Sequence, residues 1–90
     1  MQIKKDFTIQ KVGSSSYVAV AVGETSKTFH GMIRLNETGA FLWKQMAERD
    51  MTEAELTEAL LSEYEVDRET AQADVHRIVE LLAGSGVFAE

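Results

Sequence analysis

Leu35-Asn36-Glu37-Thr38-Gly39-Ala40-Phe41-Leu42-Trp43 divides this chain, because the residues before it read as strand and turn and those after it read as helix. Asn36 is a favoured N-cap, since its side-chain oxygen can accept from an amide of the first helical turn. Glu37 adds negative charge at the positive end of the helix dipole. The helix predicted over 37–47 carries Ala40, Phe41, Leu42, Trp43 and Met46 across a wide apolar arc, the mark of a helix buried on more than one side. Gly39 costs such a helix about 1 kcal/mol relative to Ala, so its presence predicts a close backbone approach.

Working back toward the N-terminus, 27–35 alternates. Phe29, Ile33 and Leu35 share one face with Gly31, and Thr28, His30, Met32 and Arg34 share the other. Gly23-Glu24-Thr25-Ser26 has turn composition. The segment 17–22, Tyr-Val-Ala-Val-Ala-Val, is apolar on both faces, as expected of a central strand covered on both sides. Gly13-Ser14-Ser15-Ser16 is another turn, and 7–12 reads as a first strand. Three strands joined by short turns form an antiparallel meander with the third at an edge.

Working forward, Thr52 and Glu55 stand at capping-box spacing, with Met51 placed to pack on Leu56 as a hydrophobic staple. They open a helix predicted over 53–64. Asp67 caps a third helix over 68–83, in which Ala71, Val75, Ile78, Val79 and Leu82 form one stripe. Gly84 and Gly86 end it, and Val87-Phe88 forms an apolar tail that packs on the bundle. The fold class is α+β: a three-stranded antiparallel sheet followed by a three-helix bundle, in one domain over 1–90.

Composition excludes several kinds of function. The 90 residues contain no cysteine, so disulfides, thiolate metal sites and a cysteine nucleophile are ruled out. The N-terminus lacks a signal-peptide apolar region, and no apolar run approaches the ~20 residues of a membrane span. The expectation is a cytoplasmic protein without a membrane partner. Two histidines, His30 and His76, are too few for a zinc site on their own, and no motif adds carboxylate ligands. Ser14-Ser15-Ser16 lacks the context of a nucleophile, and Gly84-Ser85-Gly86 follows a helix rather than preceding one. No catalytic constellation, metal site or cofactor is expected. An enzyme subunit with an incomplete site would require His30 and His76 to converge with a carboxylate.

Charge is unevenly divided. Residues 1–35 carry five basic and two acidic groups, a net of +3, whereas 36–90 carry four basic and thirteen acidic groups, a net of −9. Helices beside a small sheet also outline a winged helix-turn-helix DNA-binding regulator. Its recognition helix would be the third, where Arg68 and Arg77 face Glu69, Asp74 and Glu80; a net of −1 opposes phosphate contact. The remaining class is peptide binding, with an exposed third strand and the third helix forming a groove for an extended segment.

Leu35-Asn36-Glu37-Thr38-Gly39-Ala40 at the sheet-to-helix junction, Thr52-Glu53-Ala54-Glu55-Leu56, Tyr64-Glu65-Val66-Asp67 and Asp74-Val75 together resemble the PqqD family, named for a protein of pyrroloquinoline quinone biosynthesis. The resemblance spans nearly the whole chain. It implies a winged-helix-like fold serving as a peptide chaperone, a recognition element of pathways that modify ribosomally made peptides. A precursor's leader would add as a fourth strand to the third strand, against the third helix. It would then be presented to a modifying enzyme, typically a radical SAM protein, as in quinone cofactor synthesis. Carried onto this chain, the pairing edge is Thr28, Phe29, His30, Gly31, Met32 and Ile33, and the helical wall draws on Arg68, Gln72, Val75, His76 and Val79. A monomer is expected, with pairing of two copies through the edge strand as the other possible state.

Overall fold

The computed structural model describes residues 1–27 and 31–89. Strands β1 (Phe7–Lys11), β2 (Ser16–Ala21) and β3 (Met32–Asn36) form an antiparallel sheet in the order β1-β2-β3. Helices α1 (Glu37–Glu48), α2 (Glu53–Glu63) and α3 (Arg68–Ser85) follow. The α+β class and the order of elements are those read from the sequence.

Two features of the sheet differ from the expectation. The third strand begins at Met32 rather than near Lys27, which instead closes a 3₁₀ turn, Gly23–Lys27. That turn is tied by the Ser26 hydroxyl donating to the Gly23 carbonyl at 2.6 Å and by an ion pair between Lys27 and Glu24 at 3.3 Å. Gly31 enters the strand at φ +108°, a backbone conformation open to glycine and strained for other residues. The second difference concerns β2, which is flanked on both sides in the plane of the sheet but is covered by helices on one face alone. Ala19 is fully buried there, whereas Val18 and Val20 on the opposite face remain partly exposed.

The covered face supplies Ala19, Ile33 and Leu35 to a core completed by Leu42, Trp43 and Met46 of α1, Leu56 and Leu60 of α2, and Val75, Ile78 and Leu82 of α3. Phe7 meets Trp43 edge-on, with ring centroids 5.6 Å apart, and so fastens β1 to α1. The caps form as their residues predict. Asn36 Oδ1 accepts from Gly39 N–H at 2.8 Å, and Thr52 and Glu55 exchange both bonds of the capping box. Met51 and Leu56 are both buried beside it. Asp67 accepts from Thr70 N–H at 2.8 Å.

Helix α3 runs through Gly84 to Ser85 and stops at Gly86, which takes the left-handed C-cap conformation at φ 74°. The apolar tail then returns to the bundle. Val87 is fully buried, and Phe88 pairs with Ile3 in an isolated antiparallel bridge flanked by bonds from Lys4 N–H to Val87 O and from Ala89 N–H to Gln2 O. Ile3 is itself a core residue, a role its short polar surroundings did not signal.

Candidate functional site: the open edge of β3 beside α3

Because β2 is central and β1 is the other margin of the sheet, β3 leaves one side without a strand among the described residues. Which of its residues offer free backbone groups follows from the alternation of an antiparallel ladder. Val12 N–H donates to Ser16 O at 2.8 Å and Val22 N–H to Asp6 O at 2.7 Å, so even-numbered residues of β2 turn their backbone toward β1. Odd-numbered residues of β2 therefore face β3, where the register pairs Tyr17 with Leu35 and Ala19 with Ile33. Ile33 and Leu35 thus spend their N–H and C=O groups inside the sheet. Met32 and Arg34 direct theirs outward, to the open edge.

The side chains obey the same alternation. Ile33 and Leu35 are buried, whereas Met32 is 59 % exposed and Arg34 is exposed on the uncovered face. Of the edge residues expected to pair with a peptide, Met32 turns its backbone to the open edge, and Ile33 turns its backbone to β2 and buries its side chain. Gly31 precedes the strand. Thr28, Phe29 and His30 lie outside the described residues, and with them any question of His30 meeting His76.

Helix α3 presents two different flanks. Arg68 reaches Glu58 of α2 at 2.8 Å, and His76 Nδ1 lies 3.3 Å from Glu53 of α2, so these residues, with Gln72 between them on the same flank, face α2. Val75 and Val79 are buried in the core. The other flank begins at Ile78, whose Cδ1 approaches the place a Gly39 β-carbon would occupy to 3.2 Å; Leu35 Cδ2 approaches the same place to 3.3 Å. Ile78 therefore packs at the junction of β3 and α1. Three residues on, Leu81 stands on that flank 47 % exposed, and Asp74 lies one turn before Ile78, paired with Arg77 at 3.7 Å. Leu81 lies off the main apolar stripe, so periodicity in the sequence did not single it out.

Among the described residues, no group of three or more His, Asp or Glu side chains is gathered to hold a metal ion, and no helix is long and apolar enough to cross a membrane. The shifted titrating groups belong to structure rather than to this edge. Hydrogen bonds from Thr52 hold the Glu55 carboxyl below its usual range, and those from Thr70 do the same for Asp67. Burial raises the Tyr64 phenol, with Glu37 adding to the effect.

A three-stranded antiparallel meander followed by three helices, with one sheet edge open among the described residues, makes a small α+β domain of the winged-helix-like kind. The family model described as coenzyme PQQ synthesis protein D (PqqD) matches residues 17–87, and the chain belongs to this family. The fold is shared with the solved structure of TbiB1 in complex with the TbiA(beta) leader peptide, at 22 % sequence identity and a TM-score of 0.69 over 100 % of both chains. None of the curated proteins matches the chain.

Proposed function

We propose that this domain is a non-catalytic peptide chaperone that captures the leader of a ribosomally made precursor as a fourth strand on β3. It presents that precursor to a modifying enzyme of the radical SAM type, in the cytoplasm. Family membership supports the reading, and TbiB1, which shares the fold, is bound to a leader peptide. The single observation that carries it on this chain is the outward-facing backbone of Met32 and Arg34 at the edge of β3.

Magnitudes say what such a ligand must contain. Backbone hydrogen bonds at a net ~1 kcal/mol each roughly offset the ~1–2 kcal/mol per residue lost in ordering a flexible peptide. Micromolar affinity, about −8 kcal/mol, therefore requires two or three apolar side chains buried at ~1.5–3 kcal/mol each. In a strand added to β3, residues opposite Met32 and Arg34 point to the uncovered face, and the residue between them points inward. The inward residue would face the helical layer, on the side where Ile78 approaches Leu35.

The surface of α3 does not favour duplex DNA. Arg68 is engaged by Glu58 and Arg77 by Asp74, within a helix of net negative charge. The test is an NMR titration of the labelled protein with short peptides encoded beside its own gene. Amide shifts centred on Met32, Arg34 and the Ile78–Leu81 flank are expected. A response to duplex DNA, with silence from every peptide, would overturn the reading.

A further inference from the structure

We infer that the uncovered face of the sheet reads a carboxylate in the bound peptide, and that Arg34 is the residue that reads it. The inference rests on strand addition at β3 and adds to it a requirement on the peptide's sequence.

Arg34 differs from the other arginines of the chain. Arg49, Arg68 and Arg77 each lie within 4.0 Å of a carboxylate, whereas Arg34 has no ion-pair partner among the described residues. This is notable in a chain with 15 acidic and 9 basic residues. The register explains it. Residues sharing the uncovered face with Arg34 are Thr8, Gln10, Ser16, Val18, Val20, Met32 and Asn36, and none of them is acidic.

Arg34 also borders an open hollow of about 500 Å³, with Val12, Tyr17, Val18 and Leu35 as its apolar lining and Ser16 and Asn36 as neutral polar neighbours. The hollow provides hydrogen-bonding groups beside the guanidinium but no negative charge to neutralise it.

A fourth strand supplies that charge from one position. The residue directly opposite Arg34 has its side chain on the same face, ~4.5–5.5 Å away between β-carbons, within easy reach of a guanidinium fork. Two residues along, the side chain opposite Met32 lies on the same face against the exposed thioether and Val20, the cross-strand neighbour of Met32. The recognised segment is therefore extended, with Asp or Glu two positions from an apolar residue.

The experiment selects binders from a random dodecapeptide display library on the immobilised full chain, then measures enriched peptides by fluorescence anisotropy against the parent and Arg34→Glu. The expected result is enrichment of Asp or Glu at that spacing. Affinity should fall about fivefold in Arg34→Glu, equivalent to ~1 kcal/mol, and recover when the peptide's acid is replaced by Lys. Arg34 is exposed and makes no internal ion pair, so the variant should fold. Peptides that shift the Met32 and Arg34 amides but show no acidic preference, or bind Arg34→Glu unchanged, would overturn the inference while leaving strand addition standing. Enriched peptides that leave β3 amides unmoved would overturn both.

Discussion

Ile78 packs where a side chain on Gly39 would begin: a β-carbon at position 39 would stand 3.2 Å from Ile78 Cδ1, 3.3 Å from Leu35 Cδ2 and 3.1 Å from Asn36 Oδ1. The glycine is what lets α3 close on the junction between β3 and α1. Gly39→Ala gains up to ~1 kcal/mol of helix propensity. It also crowds two core side chains and the oxygen that caps α1, at an overpacking cost of ~1–3 kcal/mol. The expected outcome is net destabilisation of about 1 kcal/mol, read as a lower urea midpoint with an unchanged slope.

Trp43 is 2 % exposed and meets the edge of Phe7, linking helix to sheet. Trp43→Ala should cost ~3–5 kcal/mol, a large share of the stability of a domain this size. Thermal unfolding followed by circular dichroism should show a melting temperature lowered by more than 10 °C, by the usual scaling of roughly 4–8 °C per kcal/mol.

The two flanks of α3 should behave differently toward peptide. Leu81→Glu places a charge on the exposed flank and should weaken binding of a responding peptide by about tenfold or more, the equivalent of losing one buried apolar contact. Arg68→Ala removes an exposed ion pair worth ~0–1 kcal/mol and, because it faces α2, should leave peptide affinity nearly unchanged. Titration calorimetry on both variants checks the contrast. A large loss in Arg68→Ala with none in Leu81→Glu would move the groove to the α2 side.

Asp67 gives a pH dependence with a defined sign. Hydrogen bonds from the Thr70 side chain and N–H lower its folded-state pKa below the unfolded one. Its contribution is thus fully present above the ordinary aspartate range, ~4, and is lost as pH falls through the lowered folded value. Asp67→Asn keeps a capping oxygen without the titration. Denaturation at a series of pH values should therefore show a shallower loss of stability below pH ~4 in the variant than in the parent.

What the sequence disclosed was mainly local. Asn36, Thr52 with Glu55, and Asp67 were readable as caps because each bonds to an amide three residues away. The inward alternation of Ile33 and Leu35 was readable because a strand has a fixed period. The start of β3 was not, since the pattern of 27–35 continues through residues that a 3₁₀ turn and the left-handed Gly31 partly take out of the strand. The open face of β2 was misread for a related reason: Val18 and Val20 carry the composition of a covered strand, and only tertiary arrangement shows a single helical layer. Which flank of α3 turns toward α2 also eluded periodicity, which finds the buried stripe but not which neighbour lies on either side of it. Glu53 and Glu58 on α2, opposite His76 and Arg68, held that information as a charge pattern between helices.

The bridge between Ile3 and Phe88 brings the two ends of the chain side by side. Paired residues in such a ribbon lie about 5 Å apart, a gap a few glycines can span. The polypeptide is therefore nearly a closed ring, and its order of synthesis matters less than its contacts. A circular permutant with a short linker joining the present ends and new ends opened at the exposed Gly13–Ser15 turn should fold to the same structure and keep its β3 edge free. Carried within a larger protein, the same domain could enter and leave at one point, as an insertion rather than a link.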